Sequence, residues 1–167
     1  MSRSGYSDDC DSAELNMWTG AVASAIRGKR GQAMLRELLA ALDALPENRL
    51  ATESLVSAEG EYCALGALGR ARGMDMESID PEDRKSVAWA FGIAEALAAE
   101  IMYRNDEVID ECKYIDVTFS GPVRPIYPEY GKHTKTVRML GAAEKRWSYM
   151  REWVASNIIH QDARVKE

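Results

Sequence analysis

The segment from Gly28 to Gly31 places two cations, Lys29 and Arg30, between two glycines. A helical pattern follows it, so free N–H groups at the helix start and both cations would converge on an anion such as a phosphate. It is not a P-loop, because the GxxxxGK[ST] pattern and a preceding strand are absent. Two interpretations stay open: a solvated turn, or an anion or nucleic-acid contact. For the second, the candidate residues are Arg27, Lys29, Arg30 and Arg36.

An acidic cluster from Asp8 to Asp11 is spaced like the opening of a calcium-binding loop. The glycine and the distant glutamate that complete an EF-hand loop are missing, so the match fails. A solvated acidic arm is the interpretation we adopt. The sequence predicts no metal site and no cofactor.

Cys63 is the candidate nucleophile, because it precedes a predicted helix whose N-terminus would lower the pKa of its thiol. The two histidines, His133 and His160, fall in a predicted loop and tail, where neither is placed to act as its base. We therefore favour a buried structural cysteine and assign no catalytic residue. The protein is not expected to be an enzyme.

An aromatic cluster lies in and beside a segment with strand periodicity. From Tyr114 to Phe119 apolar and polar residues alternate, and residues 134–139 supply the partner strand across a loop rich in proline and tyrosine. An exposed hairpin with such a loop is typical of a protein-binding surface. The candidate partner-binding residues are Tyr114, Phe119, Tyr127 and Tyr130. The alternative, compatible with the first, is that the hairpin covers a helical core.

Helical periodicity and end signals account for most of the remaining chain. Asp11 is a helix cap, Gly28 a stop, and Asp80 with Pro81 a second helix start. The predicted helices are 12–27, 32–45, 62–72, 81–90, 93–105 and 142–159. The first has an apolar stripe of Leu15, Trp18, Val22, Ala25 and Ile26, and a short extended piece is predicted at 50–56.

The predicted fold class is therefore mainly α, a compact helical domain of about five to six helices with an inserted β-hairpin near 114–139. Residues 1–11 are predicted to be a flexible arm and 161–167 a charged tail. Between them, 12–160 form a single domain with the insertion at 108–141. Gly66 and Gly69 in the third helix predict a close helix contact, because each costs about 1 kcal/mol of helix stability relative to alanine.

Composition limits the class of protein. The 167 residues include 46% hydrophobic and 29% charged residues, which is typical of one globular domain. The formal charge of −6 disfavours non-specific nucleic-acid binding. Three cysteines, Cys10, Cys63 and Cys112, form no CxxC pair and suit free thiols in a reducing cytoplasm. No apolar run is long enough to predict a membrane span.

Five segments resemble a group of small, largely uncharacterised proteins of tailed bacteriophages and prophages: MSRSGYSDDCD, GAVASAIRGKRGQA, CALGALGRARGMDM, FGIAEALAAEIMYRNDE and RWSYMREWV. The resemblance covers most of the chain except 108–141, where the related form has a short connection. It implies a phage protein acting in the cytoplasm of an infected bacterium, with the hairpin as an insertion. It implies no catalytic residues.

Two functional hypotheses follow, and a hydrolase or transferase with an unrecognised site is a weaker third. The leading one is a non-enzymatic, anti-CRISPR-like inhibitor that binds a host defence complex through the hairpin, by analogy with other small phage proteins. The alternative is a nucleic-acid or nucleotide-binding phage regulator that uses the basic turn. The sequence does not indicate an oligomeric state.

Overall fold

The computed structural model describes residues 3–6, 11–118 and 132–160. Within these ranges the chain forms six α-helices and one antiparallel pair of strands, which confirms the predicted mainly α fold with an inserted hairpin. The elements are α1 Ser12–Arg27, α2 Lys29–Asp43, α3 Ala64–Ala71, α4 Arg84–Phe91, α5 Glu95–Asp106, β1 Cys112–Thr118, β2 Lys132–Arg138 and α6 Ala142–Asn157.

The chain divides into two compact units. Met1–Ile109 with Ala143–Glu167 form the first, which we call the helical body, and Asp110–Ala142 form the second, which we call the hairpin unit.

The core of the helical body is built around α2. The leucines Leu35, Leu38 and Leu42 recur at helical spacing and are fully buried. Burying a leucine side chain stabilises a fold by about 1.5–3 kcal/mol. The burial of this face therefore contributes more to stability than the intrinsic helix propensity of its residues. α5 contributes Leu97 and Ile101 to the same cluster.

Helix starts follow local capping. The carboxylate of Asp11 accepts hydrogen bonds from the N–H groups of Ala13 and Glu14, which confirms the predicted cap of α1. The predicted start of the fourth helix at residue 81 is wrong. Residues 80–83 form a turn, and the side chain of Asp83 caps α4 by accepting from Lys85 N–H at 3.0 Å.

The basic turn is shorter than predicted. Only Gly28 separates α1 from α2, and Lys29, Arg30 and Gly31 already belong to the first turn of α2. Gly31 is required there, because a Cβ at this position would lie 1.9 Å from the carbonyl oxygen of Ala25 in α1. Close approach of the two helices therefore depends on this glycine.

Gly66 of α3 serves a similar purpose, although its neighbour is not a helix as predicted. A Cβ on Gly66 would lie 1.8 Å from the carbonyl oxygen of Leu55 in the loop before α3. That loop does not form the predicted extended piece, since Val56 pairs with Tyr62 only in an isolated bridge. The glycine thus lets an irregular loop lie directly on a buried helix.

The apolar stripe of α1 is not buried as a whole. Val22 is the buried residue of this helix, while Leu15 of the predicted stripe is 59% exposed. Met17, which lies outside the stripe, is 71% exposed. Periodicity identified the helix, but it did not identify which part of the stripe reaches the core.

In the described part of the chain, no single helix has the length and apolarity that a membrane span requires. α4 and α5 meet that test only when taken together across a bend of 109°.

The hairpin unit contains one sheet of two antiparallel strands among its described residues. Tyr114 lies opposite Thr136, and Ile115 opposite Lys135. Because residues directly opposite each other point to the same face, Tyr114 and Thr136 share one face and Ile115 and Lys135 the other.

Candidate interaction surfaces

The hairpin exposes large side chains on both of its faces. Tyr114 is 77% exposed on one face and Ile115 is 38% exposed on the other, where Val117 and Val137 are half-buried. A two-stranded hairpin in water is only marginally stable by itself, and within the described residues the outer edge of each strand pairs with no further strand. The hairpin therefore offers a Tyr-centred face, an apolar face and two edges to a partner.

The charge of the hairpin strands is positive. Lys113, Lys135 and Arg138 are exposed, and Asp116 is the one acid within the two strands. Over the whole hairpin unit five Lys and Arg stand against four Asp and Glu, whereas the rest of the chain has 16 against 23. The net charge of the hairpin unit is therefore positive, whereas that of the rest of the chain is negative.

Of the four predicted partner-binding residues, the structure describes only Tyr114. Phe119, Tyr127 and Tyr130 lie outside the described residues.

The four predicted anion-binding residues lie in three different places on the helical body. Lys29 and Arg30 line a cleft of about 280 Å³ at the junction of α1, α2 and the start of α5. Arg27 lines another cavity. Arg36 donates to the carbonyl oxygen of Ile159 at 2.9 Å, so its guanidinium is bonded to the residues that directly follow α6.

The cleft lies against two helix starts that lack side-chain caps, Gly28 before α2 and Ala94 before α5. Free N–H groups at helix starts carry partial positive charge. Among the described residues no carboxylate forms an ion pair with Lys29 or Arg30. The cleft is therefore electropositive.

The N-terminal segment Arg3–Tyr6, which lies within the predicted flexible arm 1–11, makes side-chain contacts with the rest of the helical body. The buried guanidinium of Arg3 pairs with Asp106, at 2.7 Å from Nε to Oδ2 and 3.1 Å from Nη2 to Oδ1. The hydroxyl of Ser4 donates to Glu107 at 2.6 Å. The segment thus lies against the end of α5.

Asn105 is the other anchor at this end of α5. Its side chain is 1% exposed, accepts from Ala64 N–H at 3.0 Å and donates to the Ala51 carbonyl at 2.8 Å. It joins α5 to the first turn of α3 and to the preceding loop. Residues 3–6 and the end of α5 thus contact each other, and their polar side chains have structural contacts.

Tyr6 stands at the centre of an aromatic and polar cluster. Its hydroxyl donates to buried Glu100 and accepts from the Trp18 indole, and its ring packs against those of Trp18 and Tyr103. Burial and then the bond to Glu100 raise the pKa of the Tyr6 phenol, so it stays neutral. Glu100 also accepts from Arg104 at 2.6 Å, so both of its carboxylate oxygens accept a hydrogen bond.

Cys63 is buried and caps α3, with its Sγ accepting from Gly66 N–H at 3.4 Å. Burial raises the pKa of its thiol, although the charge of Arg3 acts in the opposite direction. The prediction of a buried structural cysteine is confirmed. Cys63 and Cys112 are free thiols, and Cys10 lies outside the described residues.

Sequence reasoning missed the N-terminal cluster. Arg3 and Tyr6 sit in a polar segment without periodicity, and their partners Asp106 and Glu100 are 103 and 94 positions away. The family resemblance drew on both parts of the chain, but it did not predict that they contact each other.

Among the described residues, no group of three or more His, Cys, Asp and Glu side chains is arranged to hold a metal ion. No family model, curated protein or solved structure matches the chain.

Proposed function

We propose that this chain is a non-enzymatic binding protein that engages a protein partner through its hairpin unit. The resemblance to phage proteins suggests the kind of partner: a host defence or regulatory complex, which the protein would inhibit by occupying a surface, as anti-CRISPR proteins do. The observation that supports the proposal best is the 77% exposure of Tyr114 on a hairpin with large side chains on both faces.

The residue types of the hairpin suit a protein contact. Tyrosine and arginine are enriched among the residues that dominate binding energy, and Tyr114 and Arg138 lie on the same face. The other face combines exposed Ile115 with the cations Lys113 and Lys135. Apolar contact would supply affinity, while positive charge would favour an acidic partner surface and raise the association rate.

The test is affinity capture with the tagged full chain from a nuclease-treated lysate of the bacterium that harbours the gene, followed by mass spectrometry. Tyr114→Ala should remove the captured complex, with the loss of about 2 kcal/mol or more that is typical of a binding hot spot. Trp89→Ala is the matched control, because Trp89 is 88% exposed on α4 of the helical body. Equal capture by wild type and Tyr114→Ala would contradict the hairpin proposal.

The electropositive cleft supports a second candidate function, binding of a nucleotide or nucleic acid at Lys29 and Arg30. Both cations line a cleft that also meets two uncapped helix starts. The whole-chain charge of −6 opposes this function, so we place it second.

Fluorescence anisotropy of a labelled single-stranded DNA across a salt series tests the second function. If the cations contact phosphates, changing Lys29 and Arg30 to alanine should flatten the dependence of log K on log salt by about 1.4, or 0.7 per lost contact. Lys85→Ala, which removes a cation of α4, is the control. Binding that both variants retain unchanged rules the cleft out.

A further inference from the structure

A cavity of the helical body lies between α1 and the N-terminal segment. Its volume is about 650 Å³, within the roughly 300–1,000 Å³ range of small-molecule sites. Residues of α1 form one wall, and the N-terminal segment with the end of α5 forms another. This cavity also explains the exposure of Leu15 and Met17, since both line it.

The second wall is aromatic and held in place. Tyr6 lies between Trp18 and Tyr103, with ring centroids 5.1 Å and 4.7 Å away. The Tyr6 hydroxyl is fixed by Glu100 and the Trp18 indole, so these rings do not need to be ordered when a ligand binds. A preorganised wall lowers the entropic cost of binding.

The charged groups of the cavity are mainly acidic. Glu14 and Glu107 line it, and no described cation forms an ion pair with Glu14. The one lining cation is Arg84, whose Nη1 donates to the Ser4 carbonyl at 2.9 Å and whose Nη2 lies 3.6 Å from Glu95. Arg84 is therefore engaged with neighbouring groups, while the carboxylate of Glu14 places a negative charge on the cavity wall.

We propose that this cavity binds a small organic cation with an aromatic or branched apolar body. The ligand body would contact Leu15, Met17 and the ring of Trp18, while its ammonium group would face Glu14. Aromatic faces attract cations, and this attraction adds to the carboxylate charge. The site belongs to the helical body and does not depend on the hairpin proposal.

Phenethylammonium is the probe, and 3-phenylpropionate and 2-phenylethanol are its anionic and neutral counterparts. Binding to the full chain is followed by NMR through the indole N–H signals, with the Trp18 signal assigned by a Trp18→Phe variant. We expect the Trp18 signal to titrate with phenethylammonium, at least fivefold more tightly than with 3-phenylpropionate. Equal or tighter binding of the anion, or a Trp18 signal that does not move, overturns the proposal.

Two variants locate the site. Ala21→Phe should weaken binding at least tenfold, because Ala21 lines the cavity and is exposed, so a phenyl ring there fills it. Asn16→Phe is the matched control, since Asn16 is exposed on the same helix and lines no described cavity. Unchanged binding by Ala21→Phe would refute the location.

Glu14→Gln tests the charge without altering the shape. It should weaken phenethylammonium binding by up to about fivefold, as expected for an exposed ion pair, and leave 2-phenylethanol binding unchanged. If both probes weaken equally, or neither does, the cation preference is refuted.

Discussion

Replacing Asn105 by alanine should cost about 4 kcal/mol of unfolding free energy. The side chain is 1% exposed and bonds to Ala64 N–H and the Ala51 carbonyl. Each of these buried backbone groups would lose its partner, at about 1–3 kcal/mol apiece. Typical domains are stable by only about 5–15 kcal/mol, so this single change would remove a large share of the total.

Urea denaturation followed by far-UV circular dichroism measures this effect. Asn16→Ala is the control, because Asn16 is exposed on α1 and its replacement should change stability by no more than about 0.5 kcal/mol. Asn105→Asp keeps the acceptor for Ala64 but loses the donor to Ala51. It should therefore be strongly destabilised at pH 7 and closer to wild type at pH 5, where a protonated carboxyl can donate again.

A loss below about 1 kcal/mol for Asn105→Ala would refute this reasoning. It would mean that water or a shift of the loop replaces both bonds, and that the end of α5 does not hold the segment before α3.

Three further predictions concern stability. Gly66→Ala should lower the free energy of unfolding by about 1–3 kcal/mol, because the added Cβ would meet the Leu55 carbonyl. This loss is expected even though alanine has the better helix propensity. A higher urea midpoint than that of the wild type would contradict the prediction. Gln32→Ala should cost about 2 kcal/mol in the same assay, since its buried amide bonds to the ends of α1 and α6. The raised thiol pKa of Cys63 means that the unfolded chain loses this proton first, from about pH 8.5. Stability should therefore fall as pH rises above that point, by up to about 1.4 kcal/mol per pH unit, and Cys63→Ala should lack this component.

The helices and the hairpin could be predicted because their signals are local. The cap at Asp11, the leucine period of α2 and the alternation around Ile115 each need only a few neighbouring residues. The start of α4 was misplaced because Asp80 and Asp83 are both good caps, and tertiary packing selects between them.

The anchors of the N-terminal segment could not be predicted, because long-range polar contacts leave no periodic pattern. Arg3 and Asp106 resemble solvated surface residues when each is considered alone. The cavity was missed for the same reason, since it exists only where Tyr6 meets Trp18 and Tyr103. Of the candidate site residues that the structure describes, Tyr114 and the pair Lys29 and Arg30 lie in surroundings that suit their proposed roles.

The position of Tyr6 links two equilibria. The same residue forms a wall of the α1 cavity and belongs to the segment that Arg3 fastens to Asp106. A ligand that needs this wall must favour the fastened segment, and by thermodynamic reciprocity the fastened segment must favour the ligand by the same factor. Protection of the segment Arg3–Tyr6 from a protease would therefore report occupancy of the cavity, even for a ligand without any spectroscopic signal.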